Sequence, residues 1–239
     1  MKQIHYRADP RVRLNDYVYQ VLKDDIMGRK LAPGERLHLQ QLAERLEVSL
    51  TPVKDALNQL AANGLVEIKP RRGFYVIDPS PQEVAESFEM RCAIESYAVQ
   101  LVLERATDDE LQKIVEIFEQ LEELAQGSDR SAMYRQYVEL DRDMHRRIIE
   151  LSGNRRFLMA YDKEHTHMYM IRERYLRFED HQRNEFFEDE VDKAQEEHRA
   201  IIQAMLARDV PSAQQILIKH INRVKQTLVN EMSGQTSSS

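Results

Sequence analysis

Four residues of metal-ligating type fall where a helical pattern calls for apolar ones. Asp141 and His145, one turn apart, interrupt the stripe Tyr134, Val138, Asp141, His145, Ile148. His198 lies on the stripe Val191, Ala194, His198, Ile201, Met205, and His220 on Ala213, Ile216, Leu217, His220, Val224. An unpaired buried carboxylate is costly, and a buried imidazole needs partners. One divalent metal ion satisfies a carboxylate and three imidazoles from three helices together. Imidazole suits zinc, nickel, copper and iron, and the carboxylate widens the range to manganese. The alternative on these residues alone is a set of i,i+4 pairs and hydrogen-bonded core histidines.

Arg91 poses a similar problem. It falls on the stripe Val84, Arg91, Ile94, Ala98, Leu101, with Glu95 one turn later, and Arg172 shares a stripe with Tyr161, His165, Met168 and Tyr175. A buried guanidinium demands a fork-shaped acceptor. Either a small carboxylate effector meets Arg91 and Arg172, or Arg91 and Glu95 form an ion pair without a ligand. His165 and His167 cannot share a helical face and read as surface residues. His181 has no partner pattern. Cys92, the sole cysteine, reads as a small apolar packing group and excludes an internal disulfide or a multi-cysteine zinc cluster.

A third chemistry is confined to the first 78 residues. A short apolar-faced helix around Leu39, Leu42, Ala43 and Leu46 is followed by the tight connection Glu47-Val48-Ser49. A further helix then opens on small polar residues, with Ser49 placed as its cap and Val53, Ala56, Leu57 and Leu60 as its apolar face. This is the helix-turn-helix arrangement, in which the second helix puts its first turn into the major groove. That turn offers Ser49, Leu50, Thr51 and Lys54, with Asn58 one turn on. Two strands, 65–69 and 74–77, joined by Pro70-Arg71-Arg72-Gly73, read as a wing whose arginines suit phosphates or a narrow minor groove. A winged helix used only for protein contacts is the alternative.

The elements that must position these groups follow from the breakers. Of seven glycines and seven prolines, four of each precede residue 79, and between Gln82 and Met232 only Gly127, Gly153 and Pro211 occur. So few breakers predict long helices, here six: 82–105, 107–126, 131–151, 155–179, 184–208 and 212–232. Short connections predict antiparallel packing. The expected fold is mainly α: a winged helix-turn-helix domain over 1–78, an antiparallel all-helical bundle over 79–232, and a disordered tail over 233–239. Asp78-Pro79-Ser80-Pro81 forms the seam.

Charge divides at the same seam. Residues 1–78 hold 13 Lys and Arg against 10 Asp and Glu, leaving 21 of the chain's 34 basic and 31 of its 41 acidic residues beyond. A head at +3 precedes a body at −10, which repels phosphates, so any nucleic-acid face belongs to the head. Hydrophobic residues at 42% and charged residues at 31% are a soluble, globular balance. No apolar run approaches a membrane span, and Met1 to Arg7 has no signal-peptide core, so a cytoplasmic protein is the expectation.

The run Pro33-Gly34-Glu35-Arg36-Leu37, then Leu42-Ala43-Glu44-Arg45-Leu46, Val48 to Leu57, Gly64-Leu65-Val66 and Arg71-Arg72-Gly73, resembles the GntR family of bacterial transcription regulators. The resemblance implies a dimer, repressor or activator, on a short palindromic operator. In FadR-type relatives three arginines are prominent in DNA contact. The matching positions are Gln40, Leu50 and Lys54, of which only Lys54 keeps the charge. Leu50 offers a thymine methyl an apolar contact instead. The body resembles the FCD ligand-binding domain of that group through Asp141-Arg142-Asp143-Met144-His145, Leu151-Ser152-Gly153-Asn154, Glu197-His198-Arg199-Ala200-Ile201 and the His220 region. That resemblance implies Asp141, His145, His198 and His220 as ligands of a divalent metal, such as zinc, nickel or manganese, that helps to hold a small carboxylate.

Two function classes stand on this reading. The first is an effector-controlled, homodimeric DNA-binding regulator, not an enzyme. The second is a metal-dependent enzyme built on the bundle with the head as an accessory. No H-E-x-x-H helix and no paired nucleophile and base are found for the second.

Overall fold

The structure is a computed structural model that describes residues 14–28, 30–127, 130–163 and 181–234. Arg172, His165, His167, Met168, Tyr175 and positions 235–239 of the tail lie outside the described residues, as do the side chains of Tyr134 and His181. The chain divides into two compact units, Met1–Pro79 and Ser80–Ser239.

In the first unit, α1 (Leu14–Met27) buries Val18, Leu22 and Ile26 at the i, i+4 spacing of one helical face. They meet Val53, Ala56, Leu57 and Leu60 of α3 (Leu50–Ala62), against which α2 (Leu39–Leu46) also packs. Full burial of a leucine such as Leu22, Leu57 or Leu60 is worth roughly 1.5–3 kcal/mol each. Asp25 is buried too, and it accepts from Arg45 of α2 at 2.7 Å and from Lys30 at 3.0 Å, which ties α1 to α2. The wing strands are β2 (Val66–Lys69) and β3 (Gly73–Val76), paired antiparallel from Val66 opposite Val76 to Lys69 opposite Gly73.

A third strand, β1 (Arg36–Leu37), completes a sheet of order β1-β3-β2, with Leu37 opposite Phe74. It is missing from the sequence reading because two residues carry no alternation to detect. Ser49 does hold the N-cap position of α3, but its side chain makes no cap hydrogen bond, so the expected hydroxyl cap is absent. The residue itself is exposed.

The second unit is helical. Its elements are α4 (Pro81–Arg105), α5 (Asp108–Ala125), α6 (Arg130–Leu151), α7 (described over 155–163), α8 (His181–Leu206) and α9 (Val210–Met232). Capping boxes start α4 and α5: Ser80 accepts from Glu83 N–H and Thr107 from Glu110 N–H, while each glutamate accepts from the cap's own N–H. α9 starts at Asp209, which accepts from Ser212 N–H. In the turn before it, Arg208 donates to the carbonyls of Leu103 and Ala106 and to Asp108, which fastens this turn to the α4–α5 corner.

Helix α4 packs on α9 and α6, α5 on α6 and α8, and α8 on α9. Phe88, Ile114, Leu121, Met144, Ile148, Ile201 and Leu217 fill the space between, with Cys92 partly buried against them. Asp141, His145, His198 and His220 come to lie inside this apolar packing.

Candidate metal centre and nucleic-acid interface

Helices α6, α8 and α9 each turn part of their polar complement inward. Asp141 and His145 are one turn apart on α6, His198 sits mid-helix on α8, and His220 sits mid-helix on α9. All four are buried, and one ligand atom from each lies within 4.8 Å of the others. The three imidazole centroids are 4.5 to 5.4 Å apart. His198 Nε2 is 3.3 Å from Asp141 Oδ1 and 3.2 Å from His220 Nε2, and His145 Nε2 is 4.0 Å from Asp141 Oδ1.

The carboxylates around the rings decide which nitrogens face inward. Burial opposes ionisation of Glu95, but the Arg91 charge and the bonds from His145 and Arg91 outweigh it and bring its carboxyl down to about 2. Ionised, Glu95 can only accept, so His145 Nδ1–H donates to it at 2.7 Å, and in the neutral ring Nε2 carries the lone pair. Glu197 repeats the pattern. Burial again opposes ionisation, yet the bonds from His220 and Arg223 bring its carboxyl to about 2. His220 Nδ1–H donates to it at 2.8 Å. Burial also pushes the His220 imidazole below its ordinary value, which favours the neutral, ligating form.

These residues fit a divalent ion. His145 Nε2 is buried with no hydrogen-bond partner, which is costly unless something positive sits in front of it. Two donors on one ion at metal–nitrogen distances of about 2.1 Å stand about 3.0 to 3.4 Å apart, and the two shortest separations here are 3.2 and 3.3 Å. The cluster could hold a metal ion; the donor set of one carboxylate and three imidazoles does not choose among zinc, nickel and manganese.

Arg91 is buried and already engaged. Its Nε donates to Glu95 at 2.5 Å, and its guanidinium lies over the rings of Phe88 and Tyr161 at 5.7 and 5.8 Å. The ion pair weighed in the sequence reading is therefore present. Glu197 and Arg223 were not singled out from sequence as functional. Glu197, on α8, meets both His220 and Arg223 of α9 across helices, and only its position beside His198 could have drawn notice.

In the first unit, the residues read as DNA contacts are solvent-facing. Gln40, Ser49, Leu50, Thr51, Lys54 and Asn58 are exposed, and Leu50 shows half of its surface. Thr51, Lys54 and Asn58 fall at i, i+3, i+7 on the α3 face opposite Val53, Ala56, Leu57 and Leu60. Arg71 and Arg72 are exposed at the wing tip and Gly73 is half-buried. Arg71 has φ 64°, a left-handed backbone that an arginine adopts at a cost.

A helix-turn-helix with a wing, followed by a helical bundle with a polar heart, defines a two-domain DNA-binding regulator with a sensing body. The gntR family of bacterial regulatory proteins matches residues 14–76, and the FCD domain matches residues 86–223. The uncharacterized HTH-type transcriptional regulator YdhC of Bacillus subtilis is 28% identical over 206 residues, 85% of this chain and 86% of that protein. The HTH-type transcriptional repressor RspR of Escherichia coli is 24% identical over 233 residues, 94% of this chain and 93% of that protein. Among solved structures, McbR/YncC of E. coli aligns with a TM-score of 0.69 at 22% identity, covering 91% of this chain and 97% of that one.

The chain belongs to the GntR family of bacterial transcription regulators, in the group whose body is an FCD domain. It is a DNA-binding transcription regulator with an effector-binding body, and not the metal-dependent enzyme weighed beside it. No helix of the described residues is long and apolar enough to cross a membrane.

Proposed function

We propose that this chain is a cytoplasmic repressor that grips a palindromic operator as a homodimer and is controlled by a small carboxylate bound beside a divalent metal. Residues 1–78 are the reader and 79–232 the sensor. The reading head sets α3 in the major groove, with Ser49, Leu50, Thr51, Lys54 and Asn58 towards the bases and phosphates and Gln40 nearby. Arg71, Arg72 and Gly73 of the wing meet the flanking backbone. Repression is supported by the name of RspR, a repressor similar to this chain over nearly its whole length.

In the body, Asp141, His145, His198 and His220 hold the ion, which supplies a Lewis-acidic anchor for an effector carboxylate. Arg91 adds a guanidinium whose five donors allow it to serve both Glu95 and an effector, and Arg172 is its partner from the sequence reading. Effector binding then biases the arrangement of the two heads to the extent that it prefers one arrangement over the other. The observation that carries this reading is the convergence of four buried ligand atoms within 4.8 Å.

The experiment is operator binding by the full-length protein, followed by fluorescence anisotropy against a panel of small carboxylates with and without a chelator. A carboxylate that shifts operator affinity only in the metal-loaded protein is the expected result. If metal-loaded protein binds no carboxylate, or if response is identical after chelation, the sensing mechanism is wrong.

A further inference from the structure

We propose that Glu95 and Glu197 are the positioning residues of the metal centre, each fixing one histidine through Nδ1 so that its Nε2 lone pair faces the ion. The inference rests on the metal reading given above and extends it to residues that ligate nothing.

The same arrangement occurs twice. Glu95 of α4 accepts from His145 Nδ1 through Oε2 and from Arg91 Nε through Oε1. Glu197 of α8 accepts from His220 Nδ1 at 2.8 Å, and Arg223 Nε lies 2.9 Å from both of its oxygens. In each case a guanidinium backs a carboxylate and the carboxylate holds an imidazole. The two histidines stand on different helices, α6 and α9, and each takes its carboxylate from another helix.

An imidazole free to choose its tautomer spends part of its time with a proton on the nitrogen that must ligate. A carboxylate on Nδ1 removes that choice, fixes the plane of the ring and makes the opposite lone pair more basic. The arginine offsets the buried negative charge, which would otherwise be costly to keep beside an apolar core. Glu95 is almost wholly buried and Arg91 nearly so, which leaves water little access to loosen the pair. Helix α4 thus supplies no ligand and yet is clamped to the centre through Glu95.

The test is zinc affinity of the full-length protein by competition with a chromophoric chelator, together with nitrogen-15 NMR of histidine-labelled, metal-free protein. Glu197→Ala should weaken zinc by about 10- to 100-fold, and Glu197→Gln, whose amide oxygen still accepts, should recover most of the loss. Removing Glu95 alone would strand a buried guanidinium, so Arg91→Met is combined with Glu95→Ala or with Glu95→Gln. The Ala pair should bind more weakly than the Gln pair. The spectra should show His145 and His220 as Nδ1–H tautomers in the wild type and a tautomer mixture at His220 in Glu197→Ala.

Wild-type zinc uptake with unchanged affinity in Glu197→Ala, or an Nε2–H tautomer at His220, overturns this inference alone. A wild type that takes up no zinc removes the metal reading and this inference together.

Discussion

The Nε2 atoms of His198 and His220 face one another at 3.2 Å, although the second is already a lone-pair nitrogen. Ionised Glu197 keeps the His220 proton on Nδ1. Without an ion, His198 Nε2–H must therefore be the donor, directed at His220 Nε2 or at Asp141 Oδ1, which is 3.3 Å away. A metal ion at this point would take the place of that proton and would satisfy His145 Nε2 as well.

Metal removal should consequently cost stability. Free zinc at 100 times its dissociation constant adds about 2.7 kcal/mol to a protein that binds it only when folded. Chelation should lower the melting temperature of the wild type by several degrees. The double variant His198→Ala, His220→Ala should lose both the bound metal, by elemental analysis, and the response to chelator. Equal chelator sensitivity in the double variant would show that these histidines are not the ligands.

Lys54 is exposed on the face of α3 turned away from the core. If it neutralises one phosphate, Lys54→Ala should reduce the slope of log affinity against log salt by about 1. The loss should be similar for operator and unrelated DNA. The slope is read by anisotropy across a salt series, and an unchanged slope takes Lys54 out of the contact set.

How much of this was legible beforehand depends on how local each signal is. The inward placement of Asp141, His145, His198 and His220 is legible because a 3.6-residue period shows within one helix, and the structure brings their ligand atoms within 4.8 Å. Arg91 and Glu95 were visible as an i,i+4 pair for the same reason. The bond from His145 to Glu95 was not, because fifty residues separate them, and neither was that from His220 to Glu197, at a separation of 23. Only the packing of α4 on α6 and of α8 on α9 creates those contacts. Strand β1 escaped notice because Arg36 and Leu37 acquire their extended pairing from Tyr75 and Phe74, not from their own pattern.

Arg71 allows stability and DNA binding to be separated. A left-handed backbone costs a non-glycine residue roughly 1–2 kcal/mol, less what glycine loses in chain entropy, and Arg71 has φ 64°. Arg71→Gly should therefore stabilise the head by up to about 1 kcal/mol in urea unfolding. The same change should weaken operator binding and flatten its salt dependence, since it deletes a wing charge. A gain in stability with unchanged binding would mean that the wing tip does not touch DNA through this residue.

The start of α5 gives the chain a pH-dependent element outside the metal cluster. Glu110 accepts from Thr107 N–H at 2.9 Å, and chiefly through that backbone bond its carboxyl lies below the ordinary 4.5. Its position in the first turn also places negative charge at the helix end that favours it. A depressed folded value means that the unfolded chain binds the proton more readily. The contribution is then complete above pH 4.5 and is lost as pH falls through the folded value. Glu110→Gln keeps an acceptor but removes the titration. The stability difference between wild type and Glu110→Gln, from urea unfolding of each at steps between pH 6 and pH 3, should favour the wild type at the upper end. It should shrink steadily below pH 4.5. A difference that stays constant across this window would show that the Thr107–Glu110 box contributes through shape alone, without its charge.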